Sequence, residues 1–412
     1  MKLAVKERNH NMSTISDTRT SLTSYLLSLA LFSGLLALAP RAIAVDASTD
    51  ERLQALEQRL DRLQKENASL RRELGLDGKS GLVDVKPAGK EPVLTINGLV
   101  QVQGDFGDKG DSRGNANDRF RLRRVRFGAA GRFLEEFDFK VEGEYVGAST
   151  TLTDGFINWS RFSWANVKAG QFKSPYGYEF LAADPKLYTI ERTLGSDRLT
   201  LNRQIGVQLA GDFFEKQLSY AAGVFNGNGL NTTTNDNGKF LYMGRVSGVP
   251  WQGKLYGQSA KWSVGADGFT SKDTALTMAS DFGFAGSLFT GKRQGVGVDS
   301  QFSFGGFDLW AEYLRVTFKP TDLKPAADFD ADAWYVQASY FVLPKTLQAV
   351  LKYDEFEPND KKAGDVVGTC TLGVNWFLKG DDLKLQCNYL ISDMPAPTKT
   401  QRQLQLRTQV IF

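Results

Sequence analysis

Residues 137–145 read FDFKVEGEY, and this stretch decides the fold class of the chain. Its apolar and charged side chains alternate strictly, so an extended strand would carry them on opposite faces. Residues 382–391 (DLKLQCNYLI) and 404–412 (LQLRTQVIF) alternate in the same way. One face of each strand suits hydrocarbon and the other suits water, as in a membrane β-barrel.

The same alternation extends from about residue 93 to the end of the chain. We count sixteen such segments, near 93–105, 120–132, 136–147, 153–161, 163–173, 200–213, 216–226, 239–248, 259–271, 294–304, 305–318, 332–343, 346–357, 366–378, 381–393 and 402–412. An even number of strands of this length predicts an all-β, 16-stranded antiparallel transmembrane barrel with a water-filled lumen. A soluble β-sandwich would alternate too. Aromatic residues such as Trp159 and Trp376 favour the barrel, because they recur near strand ends or on the apolar face, as an interfacial girdle requires.

The N-terminal 92 residues follow other patterns. Basic residues, an apolar run at 25–39 and Ala42-Ile43-Ala44 predict a cleaved signal peptide over 1–44; a retained anchor is the alternative, but the run is short for a membrane span. Leucines then follow a heptad spacing at Leu53, Leu56, Leu60, Leu63, Leu70 and Leu74, with Asn67 in the gap. This spacing predicts a short N-terminal coiled-coil helix over 45–75, the alternative being a lone helix lying on the barrel. A Gly/Pro/Lys linker is expected over 76–92.

Composition excludes several classes of function. Lys and Arg number 50 against 47 Asp and Glu, and a net charge of +3 gives no reason to expect nucleic-acid binding. The single histidine, His10, falls in the expected signal peptide. The mature chain would therefore lack the commonest general base. We expect no enzymatic activity, no cofactor and no metal site.

Several segments resemble the phosphate-selective porin family, the O and P porins of Gram-negative outer membranes. GQFKSPYGYE (170–179) is the most specific of them, and IERTL (190–194), RQIGVQLAGDF (203–213), NGLVQVQGDFGD (97–108), LRRVRFGAAGRF (122–133) and TLGVNWFLKGDDLKLQCNYL (371–390) accompany it. The resemblance implies a homotrimer of 16-stranded barrels in the outer membrane that carry small anions such as phosphate or polyphosphate. The coiled coil would then lie in the periplasm, where a peptidoglycan contact is possible. Phe412 resembles the terminal aromatic residue by which such barrels are recognised for insertion.

The resemblance also assigns residues. Arg123 and Arg124 match paired arginines on the family's second strand, Asp154 an acidic residue on the fourth, and Lys168 a lysine on the fifth. Gln101 stands where the phosphate-specific members carry an inward arginine. That departure weakens the implication of a site for phosphate itself.

The arginines of RFRLRRVRF (119–127) fall on both parities of one strand. A straight strand would place two of them in lipid, at about 2–4 kcal/mol each near the bilayer centre. We therefore predict a β-bulge at Arg123-Arg124 that turns all five guanidinium groups into the lumen. The alternative is that Arg119 and Arg121 extend to the headgroups.

The loop from Lys173 to Leu201 is too long for a turn, and we expect it to fold into the lumen and narrow it; a disordered outer loop is the alternative. The candidate residues for binding anions in the pore are Arg121, Arg123, Arg124, Arg126, Asp154, Lys168, Lys173 and Arg203. Other functions remain open: a structural envelope tether, a general non-selective porin, or a sugar porin. The last would need a ladder of inward aromatic residues, whereas most aromatic residues here have the outward parity.

We expect the mature protein to begin at Val45, because the Ala42-Ile43-Ala44 site is typical of signal peptidase cleavage. N-terminal sequencing of protein from the outer-membrane fraction should read Val-Asp-Ala-Ser. Recovery of chains that begin within residues 1–44 would contradict this prediction.

Overall fold

The computed structural model describes residues 93–412 apart from 115–116, 322–326 and 399, together with Gln58, Arg59, Arg62 and Asp84–Val85. A two-residue strand, β1 (Asp84–Val85), precedes the barrel and pairs with its first strand. The barrel strands are β2 (Val93–Gly107), β3 (Arg119–Phe133), β4 (Phe137–Glu144), β5 (Thr151–Phe162), β6 (Ala165–Lys173), β7 (Arg203–Phe213), β8 (Leu218–Phe225), β9 (Leu241–Leu255), β10 (Gln258–Thr277), β11 (Leu288–Phe304), β12 (Phe307–Pro320), β13 (Phe329–Leu343), β14 (Leu347–Glu357), β15 (Val367–Lys379), β16 (Leu383–Asp393) and β17 (Gln401–Ile411).

These strands form one closed antiparallel sheet. Each pairs with the next along the chain, and β17 pairs with β2 to complete the ring. The predicted 16-stranded barrel is thus confirmed. Strands β9, β10 and β11 extend beyond the predicted segments. Short turns such as that at Tyr256 and Gly257 join strands at one end, which we call the short-turn end, and loops such as 174–202 join them at the other, the long-loop end.

The two faces of the wall differ as the period of two requires. Outward side chains such as Val207 and Val298 are about half exposed, at 51% and 53%. Inward amides such as Gln103 and Asn375 are fully buried. An apolar outer surface around a polar interior is the arrangement that a lipid bilayer selects for a barrel.

The N-terminal expectations fall largely outside the described residues. Gln58, Arg59 and Arg62 are helical, but the rest of the predicted coiled coil, and the signal peptide, are not described. Of the predicted linker, β1 is described. No helix among the described residues is long and apolar enough to span a membrane.

The predicted bulge in β3 is confirmed. Gln101 of β2 pairs with Arg124, and Val102 pairs with Leu122, so Arg123 is the extra residue. Its insertion resets the parity of the strand, and Phe120, Leu122 and Phe127 point outward with exposures of 79%, 52% and 49%.

The loop after β6 folds into the lumen, and the alternative of a disordered outer loop is wrong. It contains two short helices, α1 (Tyr178–Leu181) and α2 (Leu194–Leu199), and a 3-10 turn at Asp184–Lys186. We call residues 174–202 the inner loop. The segments around Tyr176, Ile190 and Leu194 are almost completely buried.

Candidate functional site

The inner loop begins within the GQFKSPYGYE segment (170–179), and both glycines of this segment are sterically required. Gly170 has φ of 128°, and a Cβ there would lie 2.2 Å from the Gly155 carbonyl oxygen on β5. Gly177 has φ of 83°, and a Cβ there would lie 2.5 Å from Thr200 at the far end of the loop. Left-handed φ values of this kind favour glycine. The segment therefore permits both the close approach of β5 and the turn that sends the chain across the lumen.

The start of the inner loop is bound to the wall formed by β10–β14. The Tyr176 hydroxyl donates to the Val296 carbonyl at 3.1 Å. The backbone N–H groups of Tyr178 and Glu179 donate to the Glu312 carboxylate at 2.5 and 3.1 Å. These hydrogen bonds attach the start of the loop to β11 and β12.

Buried cations from β14, β16 and β17 bind the middle of the inner loop. Lys352 is 2% exposed and forms an ion pair of 3.2 Å with Glu179. Lys384 donates to the Pro185 carbonyl at 2.5 Å, and Arg407 donates to the Ile190 carbonyl. Backbone carbonyls of the loop thus accept hydrogen bonds from buried cations of the barrel wall.

Asp184 is the centre of the first arginine cluster. Its carboxylate pairs with Arg124 at 3.1 Å, Arg126 at 2.5 Å and Arg192 at 2.5 Å. Burial by itself would raise the pKa of Asp184, but the charges of the three guanidinium groups outweigh burial and hold this pKa well below its ordinary value. Asp184 is therefore ionised whenever the loop is docked at neutral pH.

Glu191 is the centre of the second arginine cluster. Arg123 binds it through two bonds of 2.7 and 2.9 Å, and Arg121 and Arg407 approach at 3.2 and 3.1 Å. Burial would raise the pKa of Glu191, but Arg123 and Arg407 hold it well below its ordinary value. Arg119 and Arg121 also pair with Asp105, at 3.0 Å each, so the alternative that they extend to the headgroups is wrong.

Three cavities lie between the inner loop and the barrel wall; two border strands within β3–β9, and the third also reaches β2 and β17. The outer cavity, about 250 Å³, lies toward the long-loop end beside Thr151, Asn202 and Leu230. The Lys168 cavity measures about 380 Å³, and the inner cavity, about 410 Å³, lies toward the short-turn end beside Asn97 and Ile411. Lys173 borders all three, so we treat them as consecutive parts of one path.

Each part of this path has an excess of cationic side chains. The outer cavity has six cationic side chains and three carboxylates: Arg123, Arg124, Arg126, Lys173, Arg192 and Arg203 against Glu144, Asp184 and Asp197. The Lys168 cavity has four cationic side chains and one carboxylate: Lys140, Lys168, Lys173 and Arg245 against Asp154. A narrow space lined in this way attracts anions.

The cations along the path differ in how far they are neutralised. Asp154 pairs with Arg203 and with Lys140, at 2.8 Å each. Lys173 donates to the Phe180 and Ala182 carbonyls at 2.7 and 2.9 Å, whereas the Lys168 ammonium lies over an aromatic ring at 4.7 Å. Among the residues that the structure describes, no carboxylate forms an ion pair with either lysine. Ion pairing with a described carboxylate therefore neutralises neither Lys168 nor Lys173.

The structure brings the predicted site residues together in two groups. Arg123, Arg124, Arg126, Lys173 and Arg203 line the outer cavity. Lys168 lines the Lys168 cavity, which Asp154 and Lys173 share. Arg121 borders none of the three cavities; it pairs with Asp105 and Glu191.

Sequence analysis missed two kinds of residue. Lys140 and Arg245 line the Lys168 cavity, and the alternation of residues 137–145 already gave Lys140 the inward parity. Inward aromatic residues were the second omission: Phe156 and Phe172 face this cavity. Phe156 of β5 and Phe172 of β6 are exceptions to the expectation that aromatic residues mostly point outward.

Comparisons with known proteins agree with this architecture. The sequence model of a family described as "Phosphate-selective porin O and P" matches residues 97–412. Among curated proteins no match was found. A loop L8 deletion mutant of OmpT, an outer membrane protein of Vibrio cholerae, is 15% identical with a TM-score of 0.59, covering 78% of this chain and 100% of that one. An anion-selective porin from Comamonas acidovorans is 14% identical with a TM-score of 0.56, covering 78% of this chain and 100% of that one. A trimer form of the Vibrio cholerae OmpT is 13% identical with a TM-score of 0.55, again covering 78% of this chain and 100% of that one. At these identities the solved structures show a shared fold.

We predict that Asp184→Asn loosens the inner loop, because three guanidinium groups lose their shared carboxylate. Breaking a buried ion pair of this kind costs about 3–5 kcal/mol. The pKa of Asp184 is lower in the folded protein than its ordinary value of about 4. Such a carboxyl stabilises the fold fully at any pH above the ordinary pKa. This stabilisation is lost as the pH falls through the folded-state pKa. The unfolding temperature of the wild type in detergent should thus stay level from pH 7 to about pH 5 and drop below about pH 4.

The variant should unfold at a lower temperature at pH 7, and its further drop in acid should be shallower. Asp236→Asn, at an exposed loop position, is the matched control and should behave as the wild type. Equal unfolding temperatures for Asp184→Asn and the wild type would show that Asp184 does not hold the loop.

Proposed function

This chain belongs to the phosphate-selective porin O and P family, and we propose that its channel admits small anions in preference to cations. It is a porin of the bacterial outer membrane; the family and the fold are those of channels and not of enzymes. The solutes proposed are oxyanions and similar small anions that diffuse passively through the water-filled path.

One observation carries this proposal: within the part of the chain that the structure describes, two lysines along the path form no ion pair with a carboxylate. An exposed or half-buried ammonium in a narrow pore attracts anions and repels cations through its field. Lys168 is supported by aromatic rings and Lys173 by backbone carbonyls. Neither kind of contact neutralises the ammonium group as an ion pair would, so each lysine favours anions when it is protonated.

The arginines of β3 contribute less than the sequence alone indicates. A tight phosphate site needs guanidinium groups free to bind oxyanion pairs. Here Asp184 and Glu191 occupy those groups. Gln101 accepts from Arg124 at 2.8 Å and so adds an orienting contact without adding charge. We therefore propose a modest anion preference, with phosphate or polyphosphate among the permeant ions.

We also propose that the protein is a homotrimer with its N-terminal helix as a periplasmic coiled coil, preceded by the signal peptide and followed by the linker. The heptad spacing of residues 53–74 supports self-association. The existence of a trimer form of OmpT, which shares the fold, supports the number three. Native mass spectrometry in mild detergent should give three chains per particle, and a monomer alone would refute the trimer.

We predict that Lys168→Met lowers the permeability of chloride relative to potassium by about tenfold, because one charge about 6 Å away in water changes the energies of the two ions by about 0.7 kcal/mol each, in opposite directions. Asp154→Asn should act in the opposite direction, because it removes the negative charge shared by Lys140 and Arg203. Reversal potentials of reconstituted channels in a KCl gradient measure both changes.

Lys362→Met is the matched control, since Lys362 is exposed on the loop between β14 and β15. It should leave the reversal potential unchanged. If folded channels of Lys168→Met and of the wild type had the same reversal potential, the selectivity would have to come from another part of the path.

A further inference from the structure

The Lys168 cavity combines positive charge with an apolar wall. Four cationic side chains and one carboxylate border it. The remaining lining is largely apolar and comes from Phe156, Phe172, Pro175, Leu181 and Ala221. A path serving hydrated inorganic ions alone has no need of such a surface, because these ions gain nothing from contact with it.

Aromatic rings on β5 and β6 form one side of this cavity, and a buried ring on β8 packs against them. Phe156 and Phe172 meet edge to face with centroids 6.1 Å apart, and Phe172 meets Phe225 at 5.6 Å. The Lys168 ammonium lies 4.7 Å from the Phe156 centroid and 5.2 Å from that of Phe172. Cation–π attraction holds the ammonium at the ring faces while it keeps its charge.

The inner loop forms the opposite side with Pro175 and Leu181. Lys173 stands between the two sides and is fixed by the Phe180 and Ala182 carbonyls. A solute in the cavity therefore meets apolar surface from both the wall and the loop, with ammonium groups within the same space. Its volume of about 380 Å³ lies in the range of small-molecule sites.

This geometry favours the binding of an anion that also has an apolar body. A carboxylate can face Lys168 and Lys173 while a ring or alkyl group removes apolar surface of Phe156 and Leu181 from water. Acetate or phosphate can make the first contact but not the second. Few convergent polar groups in an apolar cleft are the usual features of a site for an organic ligand.

We infer that the Lys168 cavity is a transient binding site for organic anions with an apolar body, such as aromatic carboxylates, which the channel takes up in preference to small hydrophilic anions. This inference rests on the proposed anion preference. It specifies the class of solute that this path favours. Binding remains weak, because the cavity opens to the rest of the path and solutes must leave it.

The test is block of the chloride current through single reconstituted channels of the full chain at pH 7. Sodium benzoate, sodium acetate and sodium phosphate are titrated separately. Benzoate should reduce the current at a concentration about fivefold below that of acetate, the charge-matched anion without an apolar body. Phosphate should resemble acetate.

Two variants locate the effect. Phe156→Asn changes the wall and Leu181→Asn changes the inner loop, and each should weaken benzoate block about threefold while leaving acetate block unchanged. Leu134→Asn, the same substitution in the exposed turn between β3 and β4, is the control and should leave all three titrations unchanged. If Phe156→Asn fails to fold, Leu181→Asn tests the same cavity from the loop.

The inference is overturned if benzoate and acetate block the wild type equally, or if the two variants weaken both anions to the same degree. The proposed anion preference is read separately, from the KCl reversal potential without organic anions. A channel that prefers chloride but does not distinguish benzoate from acetate retains the proposed function and loses this inference. A channel without chloride preference fails the proposed function first.

Discussion

Two carboxylates, each surrounded by guanidinium groups, hold the inner loop in its observed position across the lumen. Asp184 and Glu191 belong to the inner loop, and their partners belong mainly to β3 and β17. Separating a buried charge from its partner is far more costly than moving an exposed one. The loop therefore stays across the lumen, and the three cavities lie between it and the wall formed by β2–β9 and β17.

The bulge in β3 follows from a second cost, that of placing a guanidinium group in hydrocarbon. One extra residue, Arg123, turns both arginine parities inward while Phe120 and Leu122 still face outward. The same bulge presents Arg124 and Arg126 to Asp184. The bulge in β3 and the docked inner loop are therefore both needed to pair these guanidinium groups with carboxylates. Loss of the bulge or of the docked loop would leave guanidinium groups without partners.

Neutralisation determines which cations a solute meets. The arginine-rich strand is the most cationic segment of the barrel, yet most of its charge is paired within the wall and the loop. Lys168 and Lys173 occur singly in the sequence; neither forms an ion pair with a described carboxylate, and aromatic rings and backbone carbonyls contact them instead. We therefore propose that charge selectivity in this channel depends on Lys168 and Lys173. The aromatic rings beside them would add a preference for anions that have an apolar body.

The sequence by itself determined the wall. Alternation with a period of two is a local property, so residues 137–145 and 404–412 were enough to predict the strands, and the cost of arginine in lipid was enough to predict the bulge. The length and charge of residues 173–201 also predicted a loop within the lumen. What the tertiary structure decided is the pairing: Glu191 meets Arg407 across 216 positions of sequence, and Phe156 faces the lumen beside Lys168. No local pattern encodes such contacts, because they depend on how a closed barrel and a docked loop divide the space between them.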